Sequence, residues 1–292
     1  MSIQLKKLIR PLVPIGAADA MGWGRAKLRD AEESRRREKF NSSRQHVRST
    51  IKSIHGLSSD QSRDLKFLEK EFIPSLGLND ELLHEQPVEL SPYFGKGLHI
   101  WQYPNQLAAY LAWLSNNATG VKSYTEIGCR WGGMFILVTE WLRRTNPDLN
   151  IVVAIDPIKS TPFIEEYFEY LKSPEGGSSK VKAIYLREFS TSDKVREVIN
   201  EIKPDFAFID GDHTLRIALN DHILVRDFAR YIVHHDIASP NNCPDTTQLW
   251  TSLKKPEGTH FESAEFTDQY ESVPISYLGI ASGRRGVVAD DA

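Results

Sequence analysis

The stretch Tyr124-Thr125-Glu126-Ile127-Gly128-Cys129-Arg130-Trp131-Gly132-Gly133 decides the fold of this 292-residue chain. Its first half is a short strand pattern. Its second half is a glycine-rich turn that opens into a helical pattern over Met134–Arg144. A strand, a glycine turn and a helix begin a βαβ unit, and the turn offers free backbone N–H groups to a ligand. The alternation then repeats. Strand patterns at Ser123–Ile127, Ile151–Ile155, Val181–Leu186, Phe206–Ile209 and Tyr231–His235 are separated by helical patterns at Phe163–Leu171, Ser192–Glu201 and Thr214–Phe228.

Short apolar runs separated by helices predict parallel strands with right-handed crossovers. After a helix near Thr247–Leu253, two β-like stretches, His260–Phe266 and Ile275–Ala281, predict an antiparallel edge hairpin. The expected fold is α/β and Rossmann-like: a doubly wound, mostly parallel seven-stranded sheet with an edge hairpin and an N-terminal helical extension.

Working back toward the N-terminus, residues 96–292 are expected to form the ligand-binding domain and residues 1–95 a basic helical extension. Asn105–Leu114 reads as an apolar helix. Ser59–Phe72 reads as another, capped by Ser59 and ended by Pro74. Residues 1–55 carry thirteen Lys/Arg against five Asp/Glu, so the arm is +8 and the rest −11 for a net charge of −3. A basic arm on an acidic body suits an anionic membrane surface or another polyanion, and a solvated helix is the competing reading. Nucleic acid is disfavoured, because no platform of interleaved aromatic and basic residues is visible.

The chain has two cysteines, Cys129 and Cys243, too few for a disulfide framework. No apolar run approaches the ~18 residues of a membrane span. The pattern of a cleavable leader is missing too. The expected location is cytoplasmic, peripheral at the inner face of the membrane through the basic arm.

The turn itself discriminates between ligands. In a dinucleotide fingerprint the middle glycine makes room for a pyrophosphate, and here that position is Arg130. Glu126, just before the turn, would repel a pyrophosphate. It suits instead a ligand bearing an ammonium and a sulfonium and no phosphate, which describes S-adenosylmethionine (SAM). Asp156, at the end of the second strand, stands where a carboxylate binds ribose hydroxyls. A helix cap ahead of Pro157 is its alternative role.

Two further strand ends lie on the same edge. The fourth ends in Phe208-Ile209-Asp210-Gly211-Asp212-His213 and the fifth in His234-His235-Asp236-Ile237. Adjacent strands are about 4.8 Å apart, so these side chains can converge. Asp210 and Asp236 suit Mg²⁺, and His235 as a third ligand leans toward Mn²⁺, Fe²⁺ or Zn²⁺. Such a metal lowers the pKa of a substrate hydroxyl, with Asp212 or His213 as the base. Capping of the helix near Thr214 is the competing role for both. Alternation sends His234 to the opposite face from His235.

These motifs together resemble the class I SAM-dependent methyltransferases, in the branch of small-molecule and sugar O-methyltransferases with an Ile-Asp-Gly-Asp-His signature. The resemblance covers about Gly97 to Asp236. It implies that Glu126, Gly128 and Gly132 lie near the methionine part of SAM, that Asp156 holds the ribose, that Asp210 and Asp236 hold a divalent metal, and that Asp212 is the base. Arg130 and Asp210 fall within the implied cofactor site. Relatives often carry two adjacent acids where this chain has His235-Asp236. The implied activity is methylation of a hydroxyl on a sugar, glycan or small metabolite. The branch also resembles cephalosporin-hydroxylase-like proteins, so a metal-dependent oxygenase built on Asp210, His235 and Asp236 is one alternative. A non-catalytic module on the same fold is another.

Overall fold

The computed structural model describes residues 43–81, 86–158, 162–176, 180–254, 261–273 and 278–285. They belong to one unit that begins at Ser42. The greater part of the basic arm, including Arg35-Arg36-Arg37, lies outside the described residues.

Strands β1 (Ser123–Ile127), β2 (Ile151–Ile155), β3 (Lys182–Leu186), β4 (Phe206–Ile209) and β5 (Tyr231–His235) run parallel. Strands β6 (Phe261–Phe266) and β7 (Ile280–Arg285) add an antiparallel hairpin beyond β5. The order across the seven-stranded sheet is β3-β2-β1-β4-β5-β7-β6. This is the architecture the alternation predicts. Two strand boundaries differ: β3 begins at Lys182 rather than Val181, and β7, at Ile280–Arg285, runs past the expected end at Ala281, while residues 275–277 of the expected stretch lie outside the described residues. Pairing with β5 sets its register, with His235 opposite Ile280 and Tyr231 opposite Arg284. The ladder therefore carries the strand through Ser282 and Gly283, which have no strand signal of their own.

Helices cover both faces. They are α1 (Ser43–Gly56), α2 (the consecutive turns Leu65–Phe67, Leu68–Phe72 and Ile73–Ser75), α3 (Pro104–Asn117), α4 (Gly133–Thr145), α5 (Pro162–Lys172), α6 (Asp193–Ile202), α7 (Leu215–Arg226) and α8 (Pro244–Leu253). The expected helix Ser59–Phe72 is broken. A 3₁₀ turn at Gln61–Arg63 comes first, and Asp64 rather than Ser59 caps α2, accepting from the Phe67 N–H. The helix also passes through Pro74, behind a wide π turn at Leu68–Phe72. Such a turn reroutes the ladder where proline removes an N–H.

Period-two alternation sorts the strand residues between the faces. Ile127, Val153, Ile155, Ala207, Ile209 and Ile232 pack with Val195, Ile199 and Val225 of α6 and α7. The other face is aromatic. Tyr124 stacks on Phe135 at 5.7 Å, Phe206 on Tyr231 at 5.6 Å, and Trp113 meets Tyr231 edge-on at 6.2 Å. Each fully buried ring such as Phe206 contributes roughly 1.5–3 kcal/mol. A sheet covered on both faces explains why β1, β4 and β5 are buried throughout.

A buried carboxylate ties α1 to this body. Glu140 accepts from His55 Nε2 at 2.6 Å, from Arg143 Nη1 at 2.7 Å and from the Tyr167 hydroxyl. Two arginines of the basic stretch are engaged beside it, Arg44 with Glu166 at 2.8 Å and Arg48 with Glu175. Among the described residues no helix is long and apolar enough to cross a membrane.

Candidate active site

β1 is flanked by β2 on one side and β4 on the other, so the strand order reverses there. Open α/β sheets bind ligands outside the carboxyl ends at that point. A cavity of about 1120 Å³ lies there, and every candidate residue from the sequence lines it. That is room for a nucleoside-sized ligand together with an acceptor.

The glycine turn is held by its own backbone. Gly128 donates to the Ile155 carbonyl at 2.8 Å and has φ +89°, and a Cβ there would stand 1.8 Å from the Asp210 carbonyl oxygen. Gly132 has φ +93°, and a Cβ would stand 2.3 Å from Ile164 Cγ1. Both glycines are thus demanded by packing before any ligand enters. Asp156 braces the turn from β2, with Oδ2 accepting from Arg130 N at 2.6 Å and Oδ1 from Ile158 N at 2.8 Å. Burial pushes the Asp156 carboxyl up, and these two donors offset part of the rise. A carboxylate has about four acceptor positions, so capacity for ribose hydroxyls remains.

Arg130 serves differently from the crowding role expected at the middle position. Its backbone takes φ +45°, and its guanidinium lies 4.2 Å over the Trp101 ring and pairs with Glu81. The side chain therefore lines the cavity wall, while its N–H goes to Asp156. Glu126 is buried, with the Tyr124 hydroxyl donating to it. Burial raises its pKa to about 8; the Tyr124 bond works against that rise and the neighbouring Asp210 adds to it. A cationic ligand group placed beside Glu126 would favour its ionised form.

The ends of β4 and β5 converge as expected. His235 Nδ1 lies 3.2 Å from Asp210 Oδ1 and 3.2 Å from Asp236 Oδ2. His213 Nε2 lies 3.0 Å from Asp236 Oδ2 and 3.8 Å from Asp210 Oδ1. On the far side of that ring, Nδ1 is 3.2 Å from Cys243 Sγ. Two donor groups close enough to hold an ion result, Asp210-His235-Asp236 and His213-Asp236-Cys243. Burial opposes ionisation of both aspartates, yet the charge of His235 and the close approach of the His213 and His235 rings hold their carboxyls below the usual range. Proximity to Asp210, Asp236 and Cys243 holds His213 well above the ordinary imidazole value. An imidazolium cannot accept a proton. A metal ion held by the two carboxylates would offset their charge and lower the His213 value toward the ordinary imidazole range.

The fit of a divalent ion rests on one atom. Among the described residues His235 Nδ1 is buried and makes no hydrogen bond of good geometry, although a carboxylate flanks it on each side. A cation between the carboxylates satisfies all three groups. Asp212 stands apart from this cluster. It is exposed, and its Oδ1 accepts from the Thr214 N–H at 2.8 Å and the Thr214 hydroxyl at 2.6 Å in a turn just ahead of α7, whose first N–H, that of Leu215, goes to Asp245 at 2.7 Å instead. His234 points to the other face, against His222 at 3.1 Å and near Trp250.

Sequence reasoning missed four residues of this region. Trp101 and Asn79 line the cavity from the segment before α3. Cys243 reaches it from the start of α8, and Gln102 accepts from His235. None carries a spacing signal, because each arrives from a segment outside the βα repeats. Three backbones in the rare left-handed region, His99, Arg130 and Asp236, also line the cavity. Strain of this kind clusters at functional sites.

No family model matches the chain, and no curated protein matches it. Solved structures do. One is the apo structure of CalS11, a TDP-rhamnose 3'-O-methyltransferase of calicheamicin biosynthesis, at 12% identity over 84% of this chain and 94% of that one, TM-score 0.44. A candidate rRNA methylase from Clostridium thermocellum matches at 8% identity over 62% of this chain and 97% of that one, TM-score 0.44. The human methyltransferase 10 domain containing protein matches at 12% identity over 64% and 83%, TM-score 0.40.

Proposed function

We propose that the chain is a SAM-dependent methyltransferase that methylates a hydroxyl of a sugar, glycan or small metabolite with the help of a divalent metal ion. The observation that carries this reading is Glu126, a buried carboxyl at the switch point whose one hydrogen-bond donor among the described residues is the Tyr124 hydroxyl. A cationic, phosphate-free ligand suits it, and a pyrophosphate does not. Asp156 supplies the ribose acceptor one strand away, bracing the turn.

When bound, SAM supplies a methyl group made electrophilic by its sulfonium, and the metal ion supplies a Lewis acid. The chain does the rest by position. Glu126 and the Gly128 turn orient the methionine end, and Asp156 holds the ribose. Asp210, His235 and Asp236 would hold the ion beside the acceptor, where its Lewis acidity would be supplied. His213, 3.0 Å from Asp236, is placed to take the hydroxyl proton at Nε2. Asp212 secures the turn that presents His213.

Calorimetry of SAM binding, with and without Mg²⁺ or Mn²⁺, tests the proposal. Binding of SAM, with S-adenosylhomocysteine at least as tight, supports it. No binding in either condition sinks it, and bound iron with oxygen uptake would then favour the oxygenase alternative.

A further inference from the structure

His235 touches more than the carboxylates. Its Nε2 lies 3.1 Å from Gln102 Oε1, Gln102 Nε2 donates to Gln106 Oε1 at 2.9 Å, and Gln106 Nε2 donates to the Asp268 carbonyl at 3.0 Å. All three side chains are buried. Amide orientations follow from their partners, and this chain of bonds has a fixed end. A backbone carbonyl only accepts, so Gln106 must present its NH₂ to Asp268 and its oxygen to Gln102. Gln102 must then present its NH₂ to Gln106 and its oxygen to His235. His235 must answer with an N–H at Nε2. With Nε2 so committed, the nitrogen left to meet a metal ion is Nδ1, the atom that is buried and flanked by Asp210 and Asp236.

Two carboxylates beside Nδ1 demand a positive charge there, which a proton supplies in the metal-free chain and a divalent cation would supply in its place. Histidine ligands commonly have their tautomer set by the partner of the other nitrogen. We propose that Gln102 and Gln106 form a tautomer-setting relay, anchored on the Asp268 carbonyl, that presents His235 Nδ1 to a divalent metal ion held with Asp210 and Asp236. The inference rests on the metal-assisted reading of this site and is independent of SAM. Gln102 and Gln106 are positioning residues that act through His235. The relay also joins two parts of the fold. Gln102 and Gln106 flank the start of α3, and Asp268 follows β6, so the hairpin edge of the sheet helps orient a ligand on β5. A nitrogen ligand so fixed suits Mn²⁺, Co²⁺ or Zn²⁺ better than Mg²⁺.

The test is direct metal binding without SAM. Mn²⁺ and Zn²⁺ titrations by calorimetry would compare the full chain with His235→Ala, Gln102→Met and Gln106→Met, each checked for native melting. Gln102→Met should weaken Mn²⁺ and Zn²⁺ binding about 10–100-fold, with a smaller effect on Mg²⁺, and Gln106→Met should act in the same direction. Gln102→Glu keeps an acceptor for Nε2 and should stay within a few-fold of the native chain. The Zn²⁺-loaded native chain, with ¹⁵N-labelled histidine, should show His235 ligated through Nδ1 and protonated at Nε2, and this reading survives if a variant fails to fold. Ligation through Nε2 overturns the relay, as does unchanged affinity in Gln102→Met. No metal binding by the native chain overturns the metal reading itself, whatever SAM does.

Discussion

Gly128 and Asp210 meet backbone to backbone: a Cβ on Gly128 would lie 1.8 Å from the Asp210 carbonyl oxygen. The turns after β1 and β4 are therefore in direct contact, and the candidate cofactor and metal sites share one wall. Gly128→Ala adds both this clash and a φ of +89° that an L side chain resists. It should destabilise the fold by at least about 1–3 kcal/mol, read as a lower urea midpoint at unchanged m-value.

Asp156 should matter to the turn and to the ligand together. Asp156→Ala leaves the N–H groups of Arg130 and Ile158 without their acceptor. SAM affinity should fall by tenfold or more, equivalent to about 1.4 kcal/mol. Asp156→Asn keeps one acceptor oxygen and should fall between. Equal SAM affinity in native and Ala proteins would remove the ribose assignment.

Glu126, with its pKa raised to about 8, predicts proton linkage. A carboxyl raised on folding contributes stability that is full below the unfolded value of about 4.5 and is lost as pH rises through about 8. Without ligand, stability should decline across that window. A cation beside Glu126 favours ionisation, so SAM binding at pH 7 should release close to one proton, a count of about one. Calorimetry in buffers of different ionisation enthalpy reads the count. Glu126→Gln should abolish it.

Glu140 behaves in the opposite sense. Burial opposes its ionisation, but the bond from His55 and the charge of Arg143 hold its carboxyl below the usual 4.5. Its contribution is present above that value and lost as pH falls through the lower folded value. Urea midpoints measured from pH 6 to pH 3 should drop steeply in the native chain and less so in Glu140→Gln, which starts from a lower midpoint because it leaves His55 and Arg143 without a carboxylate.

His213 and Asp212 separate the two candidates for the base. His213→Ala should lower kcat by roughly 10²–10⁴ with SAM affinity nearly unchanged. Asp212→Asn keeps an oxygen for Thr214 and should hold kcat within a few-fold. A large kcat loss in Asp212→Asn instead would return the base to Asp212.

The sheet was legible because parallel strands buried on both faces must be apolar and short, and helices must separate them. β1, β2, β4 and β5 fall where their patterns put them. The hairpin was harder. Ser282 and Gly283 become strand because β5 pairs with them, and register is a property of two segments rather than one. Likewise Pro74 reads as a stop, yet a π turn carries α2 past it.

The site divides in the same way. Residue types at strand ends were enough to nominate Glu126, Asp156, Asp210, His213, His235 and Asp236, because topology alone brings those ends to one edge. Tertiary structure alone decided what each atom does. It turned Asp212 out onto Thr214 ahead of the helix, laid Arg130 on Trp101 and set Cys243 against His213. It also linked His235 to Asp268 through two glutamines. Periodicity records which face a residue takes. Which nitrogen carries a proton depends on partners more than a hundred residues away in the chain, and no local pattern encodes that.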